Sequence, residues 1–199
     1  MKNSPYASKI KRMSYMLRVV MQVFFWTTLL GMILLVVGAI IVQFLSDDVF
    51  IVKQTGNRGF VLSMDNLIRY RIPEASVGIS AKPIYKAIAW AAAFCSGGLA
   101  IVFRQLTALL KTVEQDKPFA KENAKRLTVI GTVLLLGSII LKITGAMVAN
   151  TVINTFNVTN LDVNVSIDVF MALSGFMILV LGGVFKYGNY LQEEYDSTL

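Results

Sequence analysis

The chain has 199 residues, 55% hydrophobic and 16% charged, where an average soluble domain carries roughly 25% charged residues. Its mean hydropathy is +0.63, and its uncharged runs are too long for the core of a water-soluble domain. The absence of histidine excludes His-based acid–base catalysis, Ser-His-Asp or Cys-His nucleophile pairs and His-containing metal sites, while a lone cysteine, Cys95, excludes an intrachain disulfide.

Residues 1–18 form a basic amphipathic segment. Tyr6, Ile10, Met13, Leu17 and Val20 recur at helical spacing, displaced from Lys9, Lys11 and Arg12. Ser8 is a candidate cap. This helix either lies on an anionic membrane surface or extends the first span. Residues 19–45 carry no charge and are long enough to cross about 30 Å of hydrocarbon. A cleavable signal has an apolar region of roughly 7–15 residues and a small-residue cleavage site, so this run reads as a retained transmembrane helix.

Residues 46–83 change character. Residues 49–53 and 60–64 are β-prone runs separated by turn chemistry at 54–59, and residues 67–72 alternate apolar and basic side chains. They predict a hairpin or a three-stranded sheet. A second span covers residues 84–103, entered through Lys82-Pro83. Residues 104–126 are a helical loop, with Phe103, Leu106, Leu110 and Val113 on one stripe and a break at Asp116-Lys117-Pro118. The third span is residues 127–148. The loop 149–168 is rich in Val, Ile, Thr and Asn, and its alternation at 163–167 predicts a further strand. The fourth span is residues 169–185, followed by an acidic, aromatic tail, residues 186–199. The expected fold is a mainly α membrane protein: four transmembrane helices with a small external β-rich cap from the first and third loops.

Basic residues set the expected orientation. They gather in the N-terminal segment (Lys2, Lys9, Lys11, Arg12, Arg18) and in the loop between spans two and three (Arg104, Lys111, Lys117, Lys121, Lys125, Arg126), whereas residues 149–168 contain none. Both termini are therefore expected in the cytoplasm. The net charge of +7 is a topology signal, and no basic patch with interleaved aromatics points to direct nucleic-acid binding.

Few residues suggest chemistry. Lys142 is the one charge inside a span, a candidate intramembrane site by default. It also lies within snorkelling reach of the span's end, and Asp47, Asp48 or Asp168 are candidate partners. The span glycines and Cys95 read as packing residues. No phosphate loop, metal-ligand cluster or paired catalytic carboxylates occur, so neither enzymatic activity nor a cofactor or metal is expected. The tail either folds back on the basic loop or serves as a docking peptide.

The run Lys117-Pro118-Phe119-x-x-Glu122-Asn123-x-x-Arg126-Leu127 before a span, and the terminal run Phe185-Lys186-Tyr187-Gly188-x-x-Leu191-Gln192-x-Glu194-x-Asp196-x-Thr198, together resemble the two motifs of the bacterial "domain of unknown function 2975" membrane proteins. The chain departs from that pattern at Ala120, where Ser or Thr is frequent. The resemblance implies a bacterial cytoplasmic (inner) membrane protein with no known enzymatic activity. Relatives are often encoded beside a small helix-turn-helix protein, which implies a sensor or anchor for such a regulator.

On that basis the partner-binding residues expected are Pro118, Phe119, Glu122, Asn123 and Arg126 in the loop, with Tyr187, Leu191, Gln192, Glu194 and Asp196 in the tail. Arg126 is expected to pair with a tail carboxylate, and Asn123 and Gln192 to satisfy backbone groups where the two segments meet. Competing readings are a small transporter, channel or toxin-immunity protein with Lys142 facing a polar path, and an accessory subunit of a membrane complex. The glycine faces suit homo- and hetero-oligomers alike.

Overall fold

The computed structural model describes residues 5–52, 61–64, 68–71, 78–158 and 163–197. Four long helices dominate: α1 (Pro5–Phe44), α2 (Lys82–Glu114), α3 (Lys121–Phe156) and α4 (Val169–Ser197). All four are long and apolar enough to cross a membrane. At 1.5 Å per residue, α1 is about 60 Å long and α4 about 44 Å, so each exceeds the roughly 30 Å of hydrocarbon it has to cross. Residues 5–18 are continuous with the first span, and Ser8, expected as a cap, lies inside the helix.

The chain divides into two compact units. The first comprises Met1–Met32, Phe94–Lys142 and Ser166–Leu199. Here α3 and α4 touch backbone to backbone. A Cβ placed on Gly175 would stand 2.8 Å from the Leu135 nitrogen and 2.9 Å from the Gly131 oxygen, and one on Gly131 would meet the Gly175 oxygen at 2.8 Å. Only a hydrogen fits at either position. In a bilayer, where lipid tails are as apolar as leucine, such close approach is a main source of helix–helix attraction. Asp168 caps α4: its Oδ1 accepts from the Met171 N–H at 3.0 Å, and its own N–H donates to the Ser138 carbonyl at 3.2 Å. Between α1 and α2, the Phe24 and Phe103 rings stack with centroids 5.4 Å apart.

The second unit comprises Ile33–Ala93 and Ile143–Val165. Its core is Ala81, Ile84, Val152 and Phe156, with Val52, Ile79 and Val158 packed against it. The base of the first loop is closed by an antiparallel clamp. The Val52 N–H donates to the Ile79 carbonyl at 3.0 Å, Gly78 to Val52 at 3.1 Å and Ala81 to Phe50 at 3.0 Å. Gly78 has φ +91°, a left-handed conformation that glycine adopts without steric cost.

The β expectations need correction. Among the described residues, the strands are one hairpin: β1 (Val61–Met64) pairs antiparallel with β2 (Ile68–Arg71), Val61 opposite Arg71 and Met64 opposite Ile68. A β-rich cap shared by two loops is not present among the described residues. The first β-prone run is instead a 3-10 turn, Asp47–Phe50, followed by a single bridge from Ile51 to Ser80. Lys53, which ends the first β-prone run, and the turn-forming residues 54–59 lie outside the described residues, as do Phe60, Leu67 and Ile72.

The third loop is shorter than expected because α3 continues through residues 149–156. Val152 and Phe156, one helical turn apart, bury themselves against Ala81 and Ile84. The hydroxyls of Thr151 and Thr155 donate back to the carbonyls of Met147 (2.8 Å) and Thr151 (2.7 Å). Burial of one helical face overrides the β propensity of these residues. The alternating run 163–167 forms no strand.

Candidate functional site

The two sequence motifs meet at the α2–α3 turn, within the first unit. The Asp116 N–H donates to the Val113 carbonyl (3.2 Å) and the Lys117 N–H to the Thr112 carbonyl (2.9 Å), the Schellman pattern that closes a helix C-terminus. Asp116 holds the left-handed position at φ 60°. Aspartate tolerates that conformation better than most residues, and Pro118 then prevents the helix from resuming.

Asn123 organises the turn. It is fully buried, and its Nδ2 donates to Thr112 Oγ1 at 2.6 Å and to the Pro118 carbonyl at 2.8 Å. Its Oδ1 accepts from Arg126 Nη1 at 2.8 Å, and the same nitrogen reaches the Ala108 carbonyl at 2.9 Å. Asn123 and Arg126 thus tie the start of α3 to the end of α2. Two ion pairs bring in α1: Arg18 Nε to Glu114 Oε1 at 2.8 Å, partly buried, and Lys11 Nζ to Asp116 Oδ2 at 2.6 Å, more exposed.

Phe119 makes the contact with the terminal motif. Its ring lies 5.3 Å from the Phe185 ring, and a Cβ on Gly188 would stand 2.9 Å from its Cδ1. The two motifs are therefore joined by an aromatic contact over a glycine, with no ion pair between them among the described residues. A tail carboxylate is the partner expected for Arg126; among the described residues its partners are Ala108 and Asn123 on the turn side. Asn123 likewise serves its own turn.

Pro118 and Glu122 are exposed beside this contact; Glu122, in the first turn of α3, suits the positive end of the helix dipole. In the tail, α4 runs on past Phe185 to Ser197. Tyr187, Leu191, Gln192 and Glu194 stand exposed on it, and Asp196 lies within it. No ion pair joins the tail to the basic loop among the described residues, which leave out the Asp196 side chain.

Sequence reasoning missed Thr112, which anchors Asn123, and the α1 partners Lys11 and Arg18. A signal existed: Glu114 and Asp116 are two of the three acids in an otherwise basic loop, and such acids call for cationic neighbours.

Lys142 is partly buried on α3, and no ion pair to it forms among the described residues. Two expected partners are engaged elsewhere: Asp47 with Lys82 at 3.1 Å, and Asp168 at the cap of α4. Among the described residues no group of His, Cys, Asp and Glu side chains is arranged to hold a metal ion.

No curated protein and no solved structure matches the chain. A family model described as "protein of unknown function (DUF2975)" matches residues 69–199, which include α2, α3, α4 and both motifs. Spanning about two-thirds of a chain whose four apolar helices imply a lipid bilayer around them, this match shows that the protein belongs to the DUF2975 family of unknown function and is a multi-pass membrane protein.

Proposed function

We propose that the protein is a non-enzymatic membrane anchor whose α4 tail, seated on the α2–α3 turn, holds a small cytoplasmic regulator of the helix-turn-helix type. The observation that carries this reading is the exposed extension of α4. Tyr187, Tyr190, Leu191 and Tyr195 are each 46–65% exposed, and Glu193 and Glu194 stand exposed among them. An aromatic and acidic helix beyond the apolar span suits a basic, amphipathic partner: the aromatics supply anchors and the carboxylates steer the encounter. Phe119 on Gly188 and Phe185 gives the base of that helix a fixed footing on the turn.

The test is a pull-down from gently solubilised native membranes, comparing the intact chain with one ending at Lys186. A small basic DNA-binding protein retained only by the intact chain supports the proposal. Retention of membrane subunits by both forms, with no such regulator, replaces it with an accessory-subunit role. Glu193→Gln combined with Glu194→Gln should weaken capture and flatten its salt dependence; unchanged capture would remove charge from the recognition.

A further inference from the structure

The second unit contains an open groove of about 480 Å³, lined by Asp47, Ser80, Lys82, Pro83 and Lys86. Its charges are unevenly satisfied. Lys82 Nζ donates to the Leu45 carbonyl at 2.6 Å and to Asp47 Oδ1 at 3.1 Å, so that ammonium is accounted for. Lys86, one helical turn further into α2, lines the same groove and is partly buried, and no ion pair to it forms among the described residues. The Asp47 side chain remains 71% exposed, and a carboxylate has about four lone-pair sites, of which Lys82 uses a part.

The groove stands where the apolar run of α2 begins. Beside it Phe44, Tyr85 and Ile88 are exposed by 84%, 56% and 47%, and the Tyr85 ring leans on Phe50 with centroids 5.5 Å apart. An amphipathic aromatic and a lysine one turn inside an apolar helix are the side chains that settle at the headgroup level of a bilayer. The position favours a lipid over a soluble phosphate, because the exposed apolar residues next to the groove would contact its acyl chains.

We propose that this groove seats the headgroup of a zwitterionic phospholipid with a primary amine, of the phosphatidylethanolamine class, its phosphate on Lys86 and its ammonium on Asp47. An ammonium with no ion pair among the described residues and an accessible carboxylate in one groove match both ends of that dipole. A glycerol headgroup carries no ammonium for the exposed lone pairs that Lys82 leaves open on Asp47. A choline headgroup has no N–H to donate.

The test uses the full chain in nanodiscs containing equal amounts of phosphatidylethanolamine, phosphatidylglycerol and phosphatidylcholine, with the lipid retained after mild extraction counted by native mass spectrometry. Phosphatidylethanolamine should be enriched about fivefold over each of the others. Lys86→Ala should return the ratio to that of the bulk, Lys86→Arg should keep it, and Asp47→Asn should move the preference toward phosphatidylglycerol. With the unmutated chain, soluble glycerophosphoethanolamine should compete the retained lipid away. Bulk-like retention by the unmutated chain, enrichment of phosphatidylglycerol in its place, or enrichment that survives Lys86→Ala would overturn the proposal.

Discussion

The ring of Phe119 approaches Gly188 so closely that a β-carbon there would stand 2.9 Å from its Cδ1 and 3.1 Å from its Cε1. One residue belongs to the turn after α2 and the other to the start of the α4 tail, so this contact defines where the tail leaves the rest of the unit. Gly188→Val should push the ring away and cost about 1–3 kcal/mol, the usual range for overpacking a close contact. Hydrogen exchange should show faster exchange in residues 186–197 than in the unmutated chain. An unchanged exchange pattern would mean that the contact does not hold the tail.

Asn123 has its amide spent on Thr112, Pro118 and Arg126 with no exposure to solvent. Asn123→Leu keeps the branching at the γ position in a bulkier side chain, and it orphans the Pro118 carbonyl and one bond of Arg126. A group left buried without a partner costs about 1–3 kcal/mol, so the variant should melt well below the unmutated protein in the same detergent. Glu122→Gln, at an exposed position in the preceding residue, should change stability by no more than about 0.5 kcal/mol.

Glycines alike in sequence should respond in opposite directions. Gly175→Ala forces a methyl to within 2.8 Å of the Leu135 backbone nitrogen, where a backbone atom has little room to yield. It should destabilise α3–α4 packing by about 1–3 kcal/mol. At Gly145, in α3, a Cβ meets nothing within 4 Å. There the change to alanine should be neutral or stabilising, up to about 1 kcal/mol, from helix propensity alone. Thermal unfolding of both variants in one detergent decides between contact and decoration.

The two ion pairs of α1 should differ in worth. Arg18 and Glu114 are 24% and 19% exposed, Lys11 and Asp116 44% and 59%. A double-mutant cycle on Lys11 and Asp116 should give a coupling below about 1 kcal/mol that fades as salt is added. The Arg18–Glu114 cycle should give the larger value and keep most of it at high salt. Equal couplings with equal salt dependence would show that burial does not set their strength.

Ala120 stands immediately before α3, at the position of an N-cap. Its carbonyl accepts from the Asn123 N–H at 2.8 Å, but its side chain has no oxygen to offer the other first N–H groups of the helix. Ala120→Ser should therefore stabilise the turn by roughly 1 kcal/mol, seen as slower exchange of the first amides of α3. A loss of stability would mean that the turn already satisfies those groups another way.

The four spans were legible from the chain alone because crossing a bilayer is a demand on local composition. A run of about 20 residues without charge suffices to state it, and residues 19–45 show it without any knowledge of their neighbours. The break after α2 was equally legible, since Asp116-Lys117-Pro118 ends a helix by local stereochemistry. Pairing was not. That Arg126 finds the Ala108 carbonyl instead of a tail carboxylate, that Gly175 is a contact and Gly145 is not, and that residues 149–156 are helix instead of strand all depend on what stands opposite in space. In the last case Val152 and Phe156 gain more by burying one helical face against Ala81 and Ile84 than their β propensity favours extension. Composition determines which segments leave water, but only the distances between residues remote in the chain decide which groups they meet there.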